Sequence, residues 1–215
     1  MKKLLSLLLF VGVACFSGCS CKDDKIEFNY FENKTNNVQD HKYYLISQEI
    51  YNGDLLLYKH DKNVYIDDNK YKIIVDVKEI NDLDEEELYS NSKEEYYRNE
   101  NDFYYKEDGV WKIKENESVE SIGFSIKKDM FEKYSIKEEN GNKILSGDLK
   151  KEKISEFLGF ELNDVDCLKL TLNISSEDKV KNVSLEYVDG NYNKVIISLE
   201  ISYSQMANFE LPDVG

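Results

Sequence analysis

The chain has few histidines and prolines, with two His and one Pro in 215 residues. Two imidazoles leave little material for the acid–base and metal sites of many enzymes. Positive charge is also scarce, since 28 Lys and Arg stand against 43 Asp and Glu, a net charge of −15. An acidic chain is unsuited to bind nucleic acid, because the phosphate backbone requires a basic surface.

Apolar and aromatic residues are present in useful amounts. They make up 41% and 13% of the chain, which is enough for a hydrophobic core and excludes disorder throughout. The length fits one domain, or one domain with a tail. The sixteen Tyr and ten Phe have two interpretations, namely plain sheet packing or the lining of an apolar groove.

Motifs that mark known catalytic sites do not occur. The sequence contains no nucleophile elbow, zinc-protease helix, P-loop or dinucleotide-binding glycine motif. His41 and His60 are the two imidazoles, and no motif singles out the further ligands that a metal would need. We interpret them as surface residues, and we expect no metal, no cofactor and no enzymatic activity.

The one long apolar run lies at the N-terminus. Lys2 and Lys3 precede an apolar segment from Leu4 to Phe16. As a helix this segment would span roughly 20 Å, which is short of the roughly 30 Å of a bilayer core. A basic start followed by a short apolar run predicts a signal peptide over residues 1–18.

The segment after this run, Phe16–Cys19, resembles the bacterial lipobox, which has small residues at the two positions before a lipid-bearing cysteine. The resemblance implies that Cys19 receives a diacylglycerol and acyl chains such as palmitate, and that it becomes the first mature residue. The chain is then exported and anchored to the outer face of the bacterial cell membrane. Cys15 and Cys21 are weaker candidates, and a plain secretory peptide is the alternative. Two acyl chains hold a protein on a membrane stably.

Cleavage before Cys19 makes the chain more acidic. Loss of Lys2 and Lys3 leaves 26 basic against 43 acidic residues, a net charge of −17. An anionic bilayer repels such a body, so the acyl anchor has to hold it there. Cys21 and Cys167 remain in a compartment that permits disulfides. A bond between them and two free thiols are both open, and Cys167 is predicted on a polar strand face.

The mature chain is predicted to consist of a lipidated cysteine with a polar tether over residues 19–40, and a single domain over 41–215. The tether contains one candidate strand, Ile26–Phe31. In the domain, short alternating runs separated by turn residues predict antiparallel strands. The first of these are Tyr43–Tyr51, Asp54–His60, Val64–Asp67, Lys70–Ile80, Asp102–Lys106, Val110–Lys114, Tyr134–Lys137 and Lys143–Ser146.

The C-terminal third contains three further strands, each with one apolar face, near residues 168–174, 183–187 and 195–203. Residues 82–99 are predicted to be helical at least in the first part of the range, and two short helices are predicted over Ile126–Tyr134 and Leu149–Leu158. Strands and helices do not alternate as βαβ units. The fold class is therefore α+β, a curved and mainly antiparallel sheet, or half-barrel, covered on one face by two to three short helices.

A tight turn at Asp108-Gly109 predicts a hairpin in which Lys106 opposes Trp111 and Tyr104 opposes Ile113. Phe103 and Tyr105 then lie on the other face. Because both faces carry large apolar groups, we expect a helix layer over one and a ligand or core over the other. The candidates for lining an apolar ligand site are Phe103, Tyr104, Tyr105, Trp111 and Ile113.

The lipobox, the hairpin at 104–111, the segment Ser146–Leu149 before a helix and the closing segment Ile201–Pro212 follow one another in a familiar order. This order resembles the LolA-like and LppX/LprG-like lipoprotein superfamily over about residues 41–213. The resemblance implies a half-open β-barrel closed by helices, with an apolar cavity for acyl chains. The amphipathic helix with which members usually begin is not evident in residues 22–40.

We therefore expect an exported, membrane-anchored lipoprotein that binds a lipid or other apolar ligand. The alternative is a surface module of the cell envelope that binds a protein partner and holds no small molecule.

Overall fold

The structure is a computed structural model that describes residues 24–36, 38, 40–81, 87–115, 124–158, 165, 167–204 and 208–214, without the side chains of 24–27 and 155–158. Within these residues the chain forms two α-helices, a 3₁₀ turn and eleven strands. In chain order they are α1 (Asp24–Thr35), β1 (Tyr43–Asn52), β2 (Leu55–Asp67), β3 (Lys70–Ile80), β4 (Tyr89–Arg98), β5 (Asp102–Glu107), β6 (Val110–Glu115), the 3₁₀ turn (Lys128–Met130), β7 (Phe131–Glu139), β8 (Asn142–Leu149), α2 (Lys151–Leu158), β9 (Leu168–Ile174), β10 (Val180–Val188) and β11 (Lys194–Ser202).

All eleven strands belong to one curved, unclosed sheet in the order β6-β5-β4-β3-β2-β1-β11-β10-β9-β8-β7. Every neighbouring pair is antiparallel. Two meanders, β1–β6 and β7–β11, are joined where β1 pairs with β11. The predicted curved antiparallel sheet is confirmed.

One face of the sheet carries the hydrophobic core, and we call it the inner face. In β9 the alternate residues Leu168, Leu170, Leu172 and Ile174 are fully buried, while the residues between them point to the other, outer face. Strict alternation of this kind follows from the two-residue period of a strand. The inner face of β9 is thus closed over by packed side chains.

Helix α1 covers part of this core. Phe28 and Phe31 are fully buried, and the ring of Phe28 contacts those of Phe131 and Tyr134 at 5.6 and 5.1 Å. The strand predicted at Ile26–Phe31 is therefore wrong. A spacing of three residues places both phenylalanines on one helical face, whereas a strand would separate them. The folded domain includes part of the segment that the sequence predicted as a tether.

A second set of contacts attaches α1 to the sheet through Tyr30. Its hydroxyl donates a hydrogen bond to Asp178 at 2.5 Å, and the ammonium of Lys143 lies 3.9 Å from the centre of its ring. Partial burial and this bond to Asp178 raise the pKa of Tyr30. Tyr30 thereby connects α1 with β8 and with the turn between β9 and β10.

Two of the three predicted helices are wrong where the structure describes them. Tyr89–Arg98, inside the helix predicted over 82–99, is strand β4, because pairing with β3 along ten residues outweighs its helical spacing. Residues 82–86 lie outside the description. The helix predicted over Ile126–Tyr134 is replaced by the turn Lys128–Met130 and the start of β7. Helix α2 confirms the third prediction.

Strand predictions were more successful. β3 has the predicted bounds Lys70–Ile80, and the hairpin β5–β6 has the predicted register. The break predicted between Asp54–His60 and Val64–Asp67 is wrong, because strand β2 continues through Lys62 and Asn63. Strands β1 and β3 pair with these residues from both sides, so their backbone groups are hydrogen bonded without a turn.

The predicted signal peptide and Cys19 lie outside the described residues. In the part that is described, no helix is both long enough and apolar enough to cross a bilayer.

Candidate functional site: the inner face of strands β3 to β5

The inner face continues from the core into the N-terminal half of the sheet. Across the strands Tyr44 pairs with Val64, Val64 with Ile73, and Ile73 with Tyr96. Tyr44 and Val64 are buried, whereas Ile73 and Tyr96 are partly exposed. Ile73 still packs against the core. The apolar surface therefore extends past the fully buried region.

Six partly exposed apolar side chains form this extension, and we call them the inner strip. They are Ile73, Val75 and Val77 of β3, Tyr96 of β4, and Phe103 and Tyr105 of β5. The ring of Phe103 stacks on Tyr96 at 5.4 Å with 25° between the planes, and on Tyr105 at 6.5 Å with 19°. The strip thus combines an aliphatic row with an aromatic stack.

Charged residues border the strip, and Arg98 is one of them. Lys62 and Glu94 pair with Val75 from the two neighbouring strands, and Lys114 and Lys112 of β6 pair with Phe103 and Tyr105. Arg98 is the only arginine of the chain, and on the inner face it lies between Tyr71 of β3 and Phe103 of β5. Its Nε is buried and has no hydrogen-bond partner. Buried N–H groups in proteins nearly always have a partner, so this one requires an explanation.

The five sequence-predicted lining residues divide between the two faces. Phe103 and Tyr105 belong to the inner strip, whereas Tyr104, Trp111 and Ile113 lie on the outer face. Tyr104 is buried and Ile113 is 43% exposed. The structure brings two of the five together with Ile73, Val75, Val77 and Tyr96, which sequence reasoning did not select.

On the outer face the C-terminal segment packs against this hairpin region. Tyr97 contacts the ring of Trp111 at 5.4 Å and that of Phe209 at 5.9 Å. Large apolar groups on both faces of the hairpin were expected to be covered. On the outer face, Tyr104 and Trp111 are in contact with the chain itself, whereas Ile113 is exposed. We take the inner strip, where Phe103 stacks on Tyr96 and Tyr105, as the candidate binding surface.

The remaining outer face is polar and of mixed charge. Ion pairs join Lys133 to Asp148 at 2.8 Å and Lys72 to Glu95 at 2.7 Å. A row of hydroxyl side chains crosses six neighbouring strands, and a cavity of about 640 Å³ lies over its first part. The row consists of Ser135, Ser146, Thr171, Ser184, Ser198 and Ser47.

The two histidines lie apart. His60 pairs with Gln48, while His41 precedes Gln48 by seven residues, roughly 20 Å along an extended chain. Partial burial lowers the pKa of His41. Among the described residues, no group of three or more His, Cys, Asp or Glu side chains is suited to hold a metal ion.

Cys167 is exposed and directly precedes β9, so it is reachable as predicted. Its partial burial raises the pKa of the thiol. Cys21 lies outside the described residues, so its pairing with Cys167 stays a prediction.

No protein-family model matches the chain, and no curated protein is similar to it in sequence. Among solved structures, the chain is similar to the crystal structure of LprF from Mycobacterium bovis. The identity is 12% and the TM-score 0.43, and the match covers 87% of this chain and 97% of LprF.

Proposed function

We propose that the chain is an exported, membrane-anchored lipoprotein that binds a lipid or other apolar ligand along the inner strip and has no catalytic role. The observation that carries the proposal is the continuation of the apolar inner face beyond the fully buried core. Contact with an acyl chain would remove more of this surface from water, at roughly 25 cal/mol per Å² of apolar area.

The inner face of β9 does not offer such a surface. Leu168, Leu170, Leu172 and Ile174 are fully buried by the chain's own side chains. In β3, by contrast, Ile73, Val75 and Val77 are partly exposed at alternate positions along one strand. They extend over about 13 Å at the usual rise per residue, a length that suits part of an extended acyl chain.

The predicted anchor is compatible with this role. Cys19 precedes the first residue of α1, Asp24, by five positions. Five extended residues span at most about 17 Å. A lipid on Cys19 would therefore hold the folded domain next to the bilayer, where apolar ligands are found.

Native mass spectrometry of the full chain, produced in a bacterial host and extracted in mild detergent, tests ligand binding. We expect bound lipid on the wild type and a large loss of it in Val75→Asn. Ile74→Asn changes the outer face of the same strand and is the matched control, which we expect to retain the lipid. A wild type without ligand would contradict the proposal and favour the protein-interaction alternative.

Anchoring needs its own experiment. Metabolic labelling with an alkyne-bearing palmitate should mark the wild type and the control Cys21→Ala but not Cys19→Ala. Labelling that survives in Cys19→Ala would show that Cys19 is not the attachment site.

A further inference from the structure

We propose that Arg98 binds the phosphate or carboxylate of an anionic lipid whose acyl chain lies on the inner strip. This inference rests on the proposed function and narrows its ligand from any apolar molecule to an anionic amphiphile.

The first support is the chemistry of Arg98. The other 27 basic residues of the chain are lysines. A guanidinium offers several N–H donors in a fixed planar fork, which matches two oxygens of a carboxylate or phosphate, whereas a lysine ammonium acts as a point charge. The unpartnered Nε of Arg98 is one of the donors in this fork. Because this Nε is buried, an anion would reach it only after a shift of the Arg98 side chain.

The second support is that no described residue forms an ion pair with Arg98. The acids nearest to it in the chain have other partners. Glu94 accepts a hydrogen bond from Tyr96, Glu100 from Asn69, and Asp102 from Asn99. Within the described residues, no ion pair therefore neutralises the charge of Arg98.

The third support is the position of Arg98 relative to the strip. It pairs with Tyr71 at one end of β3, and Ile73, Val75 and Val77 follow from there toward the other end. The rings of Tyr71 and Phe103 flank it, and partial exclusion of water strengthens a charge-assisted hydrogen bond. A cation at one end of an apolar row is the complement of an amphiphile with an anionic head.

Competition binding by native mass spectrometry tests the inference on the full chain after removal of bound lipid. The probes are dioleoyl phosphatidic acid, oleic acid and dioleoylglycerol, which carry a phosphate, a carboxylate and no charge. We expect wild type to bind at least one anionic probe about tenfold or more tightly than dioleoylglycerol, a difference of about 1.4 kcal/mol. The stronger of the two anionic probes identifies the head group.

Variants then assign this selectivity to Arg98. Arg98→Gln should lose the roughly tenfold preference while its affinity for dioleoylglycerol is unchanged, and Arg98→Lys should retain part of it. Lys93→Gln, an exposed change on the outer face of β4, should behave as wild type.

Equal binding of all three probes by wild type, or full selectivity in Arg98→Gln, would overturn the inference and leave the proposed function standing. Wild type that binds none of the probes would overturn both. Because wild-type selectivity is itself a test, the inference remains falsifiable if Arg98→Gln does not fold.

Discussion

The N-terminal half of the sheet, β1–β6, and the C-terminal half, β7–β11, contain strands with the same alternating pattern but with different burial of the inner-face residues. In β9 every inner-face residue is fully buried, whereas in β3 the inner-face residues Tyr71, Ile73, Val75 and Val77 are partly exposed. Side chains of α1, α2 and the 3₁₀ turn belong to the same core cluster as β9. The comparison indicates that the C-terminal half holds the domain together and that the N-terminal half offers a surface for binding.

The largest expected difference between the halves is in stability. Leu170→Ala removes a fully buried side chain, and we expect it to lower the free energy of unfolding by about 2–5 kcal/mol. Val75→Ala removes a partly exposed one and should cost about 1 kcal/mol or less. Urea denaturation of both variants measures this. Equal losses would mean that the two halves are packed alike.

A close approach inside the C-terminal half gives a second test. A Cβ added at Gly147 of β8 would lie 2.5 Å from the carbonyl oxygen of Lys133 and 2.7 Å from Cδ1 of Phe131. Gly147→Ala should therefore destabilise the domain by about 1–3 kcal/mol through overpacking. Ser146→Ala, on the outer face of the same strand, should cost less. An unchanged thermal midpoint for Gly147→Ala would show that β7 and β8 are not packed so tightly.

The smallest expected effect concerns an outer-face ion pair where the halves meet. The hydrogen bond from Lys59, at 2.9 Å, holds the pKa of Glu49 below its ordinary value of 4.5. A lowered pKa in the folded state stabilises the fold above the ordinary pKa, and this stabilisation is lost as the pH falls through the lowered value. Since both side chains are partly exposed, we expect it to be below about 1 kcal/mol.

Glu49→Gln should therefore be less stable than wild type at pH 7, and the difference in stability should be smaller at pH 3. Urea midpoints of wild type and variant at both pH values check this. The exposed Glu139→Gln is the control, and we expect it to leave the urea midpoint unchanged at both pH values. A difference that persists unchanged at pH 3 would rule out the Glu49–Lys59 pair as its cause.

Much of the sheet could be predicted from the sequence, because alternation and turn residues are features of short segments of the chain. Alternation along Lys70–Ile80 and the turn at Asp108-Gly109 determine the bounds of β3 and the register of β5–β6 without reference to the rest of the chain. The wrong predictions concern segments whose structure depends on pairing with residues distant in the sequence. Tyr89–Arg98 has some helical spacing, and it becomes a strand because β3 pairs with it.

Only some residues of the candidate site could be predicted from the sequence. Phe103 and Tyr105 could be selected as aromatic residues of a hairpin, but their position beside Ile73 and Val75 depends on the pairing of β3, β4 and β5. Arg98 could have been noticed as the only arginine. Its unpartnered Nε, however, is a property of the packed structure.

Photo-crosslinking tests most directly whether the inner strip is the binding surface. A fatty acid with a diazirine on its chain would be bound to the full wild-type chain, activated by light, and the labelled peptides identified by mass spectrometry. We predict saturable labelling of peptides that contain Val75 and Val77 or Phe103, reduced by excess unlabelled fatty acid. Saturable labelling confined to peptides of β9 and β10, or labelling that excess fatty acid does not reduce, would contradict the account.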